Sequence, residues 1–472
     1  MSPTRHAVAL LLIVATASVA PAQQERPNLL FLSIDTLRAD HVSCYGYDRP
    51  TTPSIDLVAA NGTRFAHARS SAPWTLPSFA TMFTGRTPTR HGAGGTGEVR
   101  NIATDPPRTM ATGIPTLAET LKGAGYRTHA VTSNPYLRFG PVRGFDDPIV
   151  KAARADRIGA LARQWIGRAA DDEPWFLWVH FNDPHEPTIA GDAQLRAIGA
   201  ADAIDDAHRT ALHRWGDREE GTYLGNRGSE SEVRDLLETK IALYDATIRQ
   251  VDLEIGHILE DLQRKQHLRH TLVVIVSDHG EEFLDHAEEG KAWNHDPRGI
   301  WGIGHGHTLF EEQLHVPLIM MGPRVDAARV IEEQFPLTEL APTLLELLRV
   351  AVPEGMDGTS RVEWMRDRQR APIPLAAEGI AYGPDWIAWN DGRHKLIADR
   401  YGTPKAFYDL LEDPYELDNR VAEADTNAVA QELLRALTGW SDDALANAPP
   451  TTAPGELTDE MREGLRSLGY VQ

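Results

Sequence analysis

The chain has 472 residues, of which 42% are hydrophobic and 24% are charged. This is the composition of a globular protein, and the length allows one large domain with a smaller one. A formal net charge of −21 argues against a general nucleic-acid binder, so we expect no nucleic-acid partner. An anionic substrate would therefore need local positive charge, most simply from metal ions. The single cysteine, Cys44, excludes an intramolecular disulfide.

Residues 1–22 are predicted to be a cleaved secretory signal. Arg5 supplies positive charge, residues 7–17 form an apolar core, and residues 20–22 fit the small-residue cleavage pattern. The apolar core is shorter than the ~20 residues that a membrane-spanning helix needs. No later stretch is long and apolar enough to span a bilayer, so we expect no stable membrane anchor. The sequence thus predicts a secreted or periplasmic protein whose mature chain starts near Gln23.

Apolar runs alternate with helical patterns along the first two thirds of the chain. Such alternation predicts an α/β fold with a doubly wound, mainly parallel sheet flanked by helices. Ile241, Tyr244, Ile248 and Val251 recur at three- and four-residue steps, which predicts a long amphipathic helix on the sheet. The predicted strands cover residues 27–35, 126–133, 175–181, 272–277 and 316–321. Further helices are predicted at residues 53–61, 76–84, 115–122 and 342–350.

The pattern changes after about residue 370. Short antiparallel strands are predicted there, followed by a helix over residues 427–440, a linker over 448–454 and a terminal helix. We therefore divide the chain into a catalytic domain, residues 23–369, and a C-terminal subdomain with a tail helix, residues 370–472. Residues 190–231 show no clean period and are predicted to be an insertion or a lid over the site.

The stretch SAPWTLPSFATMFTGR, residues 71–86, places Thr75 at the N-terminal edge of a short helix. Pro77 is favoured in a first helical turn and Gly85 just beyond a helix end. Free backbone N–H groups and the positive end of the helix dipole lie at that edge, where they would stabilise an anion or the alkoxide of Thr75. The alternative is that Thr75 is an ordinary N-cap.

Polar side chains follow four of the five predicted strands. Ligands of open α/β sheets collect beyond the carboxyl ends of the strands, so these groups are expected to converge. A carboxylate with an imidazole suits a divalent cation, and Asp278 with His279 is the strongest such pair. The alternative for this pair is a turn-capping acid beside a surface histidine. The strand-end residues are Asp35, Asn134, Asp183 with His185, and Asp278 with His279.

The segment GHGHTLFEE adds His305 and His307 in a glycine-flanked loop. Isolated histidines are mostly structural or solvated, and that alternative stays open for His305. The segment HDPRG, residues 295–299, is assigned no role.

Together these residues resemble the sulfatase family of the alkaline phosphatase superfamily. The resemblance spans residues 26–410 and rests on the order and spacing of five motifs. It implies an α/β core, a smaller C-terminal α+β subdomain and a site that binds one or two divalent ions (Ca, Mn or Zn). The motifs are NLLFLSIDTLRADHVSCYGY, WTLPSFATMFTGR, FNDPHEP, SDHGEEF and GHGHTLFEEQLHVPLI.

The resemblance also implies roles for individual residues. Asp35, Asp278 and His279 would bind the metal, with Thr75 as the nucleophile and a further ligand. His185 and His307 would hold the substrate anion, protonate the leaving oxygen or bind a second metal. Asn134 is a further candidate for substrate binding. The substrate would be an ester of a small molecule or a glycan, and the oligomeric state is left open.

The sequence departs from the family where the nucleophile stands. Sulfatases convert the cysteine of a C-x-P-S-R pattern to formylglycine, whereas here Thr75 holds the cysteine position and Phe79 the arginine position. The second of the family's paired acids is Thr36, and His307 replaces a late lysine. The family's lysine-containing motif after the second predicted strand is replaced by SNPYLRFG.

This replacement changes the chemistry that the site can perform. Formylglycine hydrate expels sulfate by collapsing to an aldehyde, but the covalent ester of a threonine must be opened by water. A threonine nucleophile with extra histidines resembles the phosphodiesterase and phosphonate-hydrolase branches of the superfamily. We therefore expect a secreted metal-dependent hydrolase of sulfate, phosphate or phosphonate esters. The alternatives are a non-catalytic binder of anionic glycans and a phospho-head-group transferase.

Overall fold

A computed structural model describes residues 26–94, 99–169, 173–201, 203–216, 230–293, 295–299, 301–365 and 372–467. The predicted signal, residues 1–22, lies outside the described residues and stays a prediction. The strands are β1 Asn28–Ile34, β2 Thr63–Arg69, β3 Val99–Asn101, β4 Arg127–Thr132, β5 Ile149–Val150, β6 Trp175–Phe181, β7 Thr271–Ser277, β8 Glu282–Phe283, β9 Ile303–Gly304, β10 Leu318–Met321, β11 Arg329–Pro336, β12 Leu375–Ala377, β13 Tyr382–Pro384, β14 Trp386–Asn390, β15 His394–Asp399 and β16 Pro404–Asp409.

The α-helices are α1 Pro53–Ala60, α2 Thr75–Thr84, α3 Pro88–His91, α4 Leu117–Gly123, α5 Ala155–Arg168, α6 Asp192–Ala197, α7 Asp206–Gly216, α8 Glu230–Arg264, α9 Ala287–Trp293, α10 Glu311–Leu314, α11 Leu340–Leu347, α12 Ala428–Ala446 and α13 Asp459–Ser467. The helices of the described part of the chain lack the combined length and apolar character that crossing a membrane requires.

Eight strands form the central sheet in the order β11-β2-β10-β7-β1-β6-β4-β5. Strand β1 runs parallel to β6 and β7, β4 runs parallel to β5 and β6, and β11 runs parallel to β2. Strand β10 is antiparallel to both of its neighbours. The predicted mainly parallel α/β sheet is therefore confirmed. Strands β2, β5 and β11 were not predicted, because β2 and β11 carry charged residues and β5 has only two residues.

Both faces of the sheet are covered, which explains why β6 and β7 are buried along their whole length. Phe79 and Phe83 of α2 pack on one face together with side chains of α4 and α11. Ile248 and Ile255 of α8 pack on the other face together with α1 and α5. The predicted amphipathic helix is confirmed in α8, but it begins at Glu230, inside the predicted insertion. The described part of that insertion forms α6 and α7, which pack on α8.

A four-stranded antiparallel sheet, in the order β12-β14-β15-β16, carries α12 on one face. This confirms a small antiparallel unit near the C-terminus, whereas the boundary at residue 370 stays a prediction. The tail helix α13 buries Met461 and Leu465 beside Trp74 and Tyr136 of the main domain. The last described residues therefore lie close to the carboxyl edge of the central sheet.

A buried ion-pair network joins the small sheet to the main domain. Lys395 is 1% exposed, and its Nζ lies 3.0 Å from Glu311 Oε1 and 2.9 Å from Glu416 Oε1. Arg69 of β2 donates to the second oxygen of Glu311 at 2.7 Å. Removing one partner of such a network leaves a buried charge uncompensated.

We expect Lys395→Met to destabilise the protein by about 3–5 kcal/mol, because two buried carboxylates lose their shared cation. Urea unfolding followed by circular dichroism measures this change. Lys405→Met, a lysine with no ion pair in the described part of the chain, is the matched control and should change stability by less than about 0.5 kcal/mol. Equal midpoints of urea unfolding for the two variants would show that the network contributes nothing to stability.

Candidate active site

The carboxyl ends of four neighbouring parallel strands, β7, β1, β6 and β4, meet at one edge of the sheet. Asp35 follows β1, and its backbone N–H donates to Phe181 O at 2.9 Å. Asp278 follows β7, and Asn134 lies just beyond β4. The structure thus brings together three of the side chains that the strand-end pattern placed at this edge. All three are fully buried.

Asp35, Asp278 and His180 form a compact cluster in which one ligand atom of each lies within 4.8 Å of the others. His180 Nε2 is 3.4 Å from Asp35 Oδ2. His180 Nδ1 lies 3.1 Å from Ser33 Oγ, and Ser33 Oγ lies 3.3 Å from Val179 O. If Nδ1–H donates to Ser33 and the hydroxyl donates to Val179 O, His180 Nε2 carries a free lone pair toward the cluster.

His279 joins this cluster from the side of β7. Its Nε2 is 3.3 Å from Asp35 Oδ1 and 3.5 Å from Asp278 Oδ2. Its Nδ1 lies 3.0 Å from Gly280 O, and a hydrogen bond to this carbonyl keeps the proton on Nδ1. Gly280 is required here, because a Cβ would lie 2.0 Å from Glu312 O.

Thr75 is the first residue of α2, and its hydroxyl points into the cluster. Oγ1 lies 3.4 Å from His279 Nε2 and accepts a hydrogen bond from Asn134 Nδ2 at 3.2 Å. Asn134 Nδ2 also lies 3.2 Å from Asp35 Oδ2. The N-cap of α2 is Trp74, so Thr75 does not occupy the capping position. This removes the alternative in which Thr75 is an ordinary N-cap.

The start of α2 is fixed to the strand ends by a second hydroxyl. Ser78 Oγ donates to Asp278 O at 2.7 Å and lies 3.0 Å from Ser70 Oγ. These contacts set the distance between the start of α2 and Asp278. The hydroxyl of Thr75 and the metal-competent carboxylates are therefore held in one rigid arrangement.

Charge interactions within the cluster shift its pKa values in opposite directions. Burial opposes ionisation of Asp35, but the neighbouring imidazoles of His180 and His279 hold the pKa of Asp35 well below its usual range. Burial and the nearby Asp35 raise the pKa of Asp278 to about 6. Burial lowers the pKa of His279, but the adjacent carboxylates raise it by more, and the result is a pKa of about 9. A cation that binds here displaces the His279 proton, so its affinity is expected to rise with pH.

Of the remaining candidates, the structure places His185 beside the cluster and His307 in a different environment. The ring centroid of His185 lies 4.8 Å from that of His305, which lies 4.4 Å from that of His279. His307 Nε2 pairs with Glu282 Oε2 at 2.7 Å. Burial lowers the pKa of His307, but Glu282 raises it by more, so the net shift is upward. The contacts described for His307 do not connect it to Asp35 or Asp278.

Sequence reasoning did not identify His180 and Glu281, and it left the role of His305 open. His180 lies in the apolar strand β6, one residue before its end. Its polar side chain at that position was the only signal in the sequence that could have identified it. His305 Nδ1 is 3.2 Å from Glu281 Oε2, and the His305 ring contacts the rings of both His279 and His185. Burial holds the pKa of His305 well below its usual range. The neutral imidazole is therefore a proton acceptor next to the cluster.

Backbone strain is concentrated beside Asp35. Thr36, at the second acid position of the family pattern, has φ of 55°, which is rare for a β-branched residue. The hydroxyl of Tyr244 donates to Thr36 O at 2.6 Å and holds this conformation. Strain of this kind persists where surrounding contacts fix it, and it is common at functional sites.

The cluster fits a divalent cation by its own geometry. Asp35 Oδ1, Asp278 Oδ2 and His180 Nε2 are buried atoms without a hydrogen-bond partner in the described part of the structure. Unpaired buried carboxylate oxygens are costly unless a cation or proton satisfies them. Two carboxylates with two imidazoles form a donor set for a transition metal or another small divalent ion.

Residues 27–350 match the family model named Sulfatase. This segment contains the whole cluster and more than half of the chain. The chain belongs to the sulfatase family.

Other members and structural neighbours of the family align along most of the chain. An arylsulfatase of Clostridium perfringens is 22% identical over 469 residues, covering 84% of this chain and 90% of that protein. A protein whose structure was solved in complex with its substrate, D-glucosamine-2-N,6-O-disulfate, superposes with a TM-score of 0.70 at 20% identity, covering 90% of this chain and 99% of that one. The phosphonate monoester hydrolase of Agrobacterium radiobacter superposes with a TM-score of 0.66 at 21% identity, covering 92% of this chain and 99% of that one. These structures share the fold, and the family makes this chain an ester hydrolase of the sulfatase type.

The family's arginine position is part of the core in this member. Phe79 is fully buried, and its ring centroid lies 4.9 Å from those of Trp178 and His180. An arginine would place an unpaired charge among these aromatic rings. The chain therefore departs from the formylglycine pattern at both Thr75 and Phe79, and the packing around Phe79 does not suit an arginine.

Proposed function

We propose that this sulfatase-family member is a secreted, metal-dependent hydrolase that cleaves phosphate or phosphonate esters through Thr75. The observation that carries the proposal is the position of Thr75 Oγ1, 3.4 Å from His279 Nε2 and 3.2 Å from Asn134 Nδ2 at the start of α2. A binder of anions has no need of a hydroxyl aimed at a metal-competent cluster. The secreted part of the proposal rests on residues 1–22 alone and is tested by sequencing the mature N-terminus.

Asp35, Asp278 and His279 are the residues that would hold the cation, with Thr75 and His180 as further donors. A bound divalent ion would polarise the ester and favour the ionised form of the Thr75 hydroxyl. The two imidazoles favour Mn²⁺ or Zn²⁺ over Ca²⁺, which prefers oxygen ligands.

In the proposed reaction, Thr75 Oγ1 forms a bond to phosphorus while the bond from phosphorus to the leaving oxygen breaks. His185 lies beside the cluster and donates a proton to the leaving oxygen. Water then attacks the threonyl ester and gives its proton to His305, the acceptor that Glu281 orients. Thr75 Oγ1, which gave its proton to solvent before attack, takes a proton from His305 as its bond to phosphorus breaks. The anion then departs, and His185 is reprotonated from solvent. Asn134 Nδ2 stabilises the charge on Oγ1 before attack.

The choice of phosphorus over sulfur follows from the second half of this reaction. A threonyl ester cannot collapse to an aldehyde, so water must attack the central atom, and this route is the one that phosphoryl-enzymes use. The experiment is a turnover panel of nitrophenyl phosphate, phosphodiester, phosphonate and sulfate, after chelation and with added Ca²⁺, Mn²⁺ or Zn²⁺. We expect the highest kcat/KM on a phosphorus ester with Mn²⁺ or Zn²⁺. A preference for the sulfate ester would refute the assignment of the anion, and full activity after complete chelation would refute metal dependence.

Replacing Thr75 by cysteine is not expected to create a conventional sulfatase. Phe79 stands where the formylglycine pattern has arginine, so Thr75→Cys should keep an unmodified thiol. An unmodified thiol cannot collapse to an aldehyde either, so water must still open its covalent ester, and activity on every ester should stay below that of the parent. Intact-mass analysis after co-expression with the modifying enzyme checks the thiol. Formylglycine together with increased sulfate release would mean that the pocket accepts sulfatase chemistry.

A further inference from the structure

The tail segment, residues 452–467, leaves the small sheet and packs on the main domain beside the active site. Thr452 Oγ1 donates to Thr109 O at 2.6 Å, and Gly455 N donates to Pro107 O at 2.9 Å. These two hydrogen bonds attach the tail segment to the main domain before α13 begins. Helix α13 then follows and ends over the apolar cluster that surrounds the start of α2.

The tail segment contacts both ends of the 3₁₀ helix Pro135–Phe139. A Cβ on Gly455 would lie 2.4 Å from Cζ of Phe139, and a Cβ on Gly464 would lie 2.9 Å from Cγ of Pro135. These distances are too short for any side chain, so each glycine permits a close approach. The position of α13 and the position of the 3₁₀ helix therefore depend on each other.

The 3₁₀ helix in turn orients the side chain of Asn134. Asn134 is its N-cap, and Oδ1 accepts from Tyr136 N at 3.1 Å. Because Oδ1 is used in this way, Nδ2 is the end of the amide that faces the cluster. Nδ2 donates to Thr75 Oγ1 and to Asp35 Oδ2, each at 3.2 Å. A shift of the 3₁₀ helix would therefore turn the donor away from Thr75.

The tail segment also packs against the residue that precedes Thr75. Trp74 is the N-cap of α2, and its ring lies edge-on to that of Tyr136, with the centroids 5.9 Å apart. Leu465, which is fully buried, belongs to the same apolar cluster as these two rings. Helix α13 thus supports the sequence neighbours of both partners in the hydrogen bond from Asn134 to Thr75.

We propose that α13 is a positioning element of the active site, which holds the Asn134 amide in the orientation that donates to Thr75. Gly464 and Leu465 are its positioning residues, and they act through the 3₁₀ helix rather than on the substrate. The proposal rests on the proposed function for the role of Thr75 Oγ1. Displacing α13 should therefore slow the chemical step and leave substrate binding unchanged.

Gly464→Ala displaces α13 without removing a core side chain. The added methyl group must move the helix away from the rigid ring of Pro135, although alanine favours a helix more than glycine does. Gly439→Ala in α12 is the matched control, because its added Cβ meets no atom within 4 Å among the described residues. We expect Gly464→Ala to lower kcat at least about tenfold at unchanged KM, and Gly439→Ala to keep both parental values.

A second pair of variants removes packing instead of adding it. Leu465→Ala is compared with Leu437→Ala, a leucine of α12 that is also fully buried but packs on the small sheet. Both variants should lower the melting temperature, whereas only Leu465→Ala should lower kcat. The conservative variant Leu465→Met should recover most of the parental kcat. Equal kcat values for Leu465→Ala and Leu437→Ala would contradict the proposal.

The Asn134→Ala background separates positioning from a general loosening of the site. If α13 acts through the Asn134 amide, Gly464→Ala should lower kcat in the parent and have little further effect in Asn134→Ala. The same fold-loss in both backgrounds would overturn the proposal. An unchanged kcat in Gly464→Ala would overturn it as well.

Hydrogen exchange tests the structural step without turnover. Exchange of a peptide that covers residues 133–139 is followed by mass spectrometry in the parent, Gly464→Ala and Gly439→Ala. Faster exchange in Gly464→Ala alone supports the link between α13 and the 3₁₀ helix. Equal exchange in the three proteins overturns the proposal. Activity retained by Thr75→Ala would refute the nucleophile but leave this comparison valid.

Discussion

Thr75→Ala is expected to lower kcat by at least about 10⁴-fold, the scale seen when a catalytic nucleophile is removed. The fold should survive, because Thr75 is not the N-cap of α2 and the hydrogen bonds of its hydroxyl with Asn134 and His279 are each worth about 1 kcal/mol. Turnover of the best nitrophenyl ester and the melting temperature are measured on the same preparation.

Thr75→Ser is the matched control for this variant. It keeps the hydroxyl and should retain a measurable part of the parent activity, whereas alanine should not. Near-parental turnover in Thr75→Ala would show that water attacks the ester directly and that Thr75 has no covalent role.

Asp278→Asn and His279→Ala are each expected to lower bound metal and to reduce kcat/KM by at least about 10²-fold. Asp278 Oδ2 and His279 Nε2 face each other at 3.5 Å in a buried cluster, so each is positioned to donate to the same cation. Elemental analysis gives the metal content of each purified variant.

The control for these variants is Asp252→Asn. Asp252 is a buried carboxylate that accepts from the backbone N–H groups of Ser54 and Ile55, outside the cluster. The Asp252→Asn variant should be less stable than the parent and should keep its bound metal. Metal content equal to the parent in both Asp278→Asn and His279→Ala would exclude these residues as ligands.

The fold was largely predictable because its strongest signals are local. Strands buried on both faces, such as β6 and β7, have continuous apolar sequences, and α8 repeats apolar residues at helical spacing. Strand β2, with the sequence TRFAHAR, escaped prediction because its arginines and histidine hide the alternation. Its pairing with β10 and β11 depends on contacts far apart in sequence, which no local pattern encodes.

The candidate site was predictable to the extent that strand ends mark it. Asp35, Asn134 and Asp278 each follow a strand, and Thr75 begins a helix with proline and glycine signals. His180 was missed because its role depends on the neighbouring β1, which brings Asp35 to 3.4 Å from its Nε2. His307 was included because a motif contains it, but its partner in the structure is Glu282, and its predicted role stays a prediction.

The most direct test of a covalent Thr75 intermediate is the stereochemistry of the reaction. An ester of the preferred anion is made chiral at phosphorus or sulfur with oxygen isotopes, and the configuration of the released anion is determined after hydrolysis in isotopically labelled water. Attack by Thr75 followed by attack of water inverts the centre twice, so net retention is predicted. Net inversion would mean a single displacement by water and would contradict Thr75 as the nucleophile.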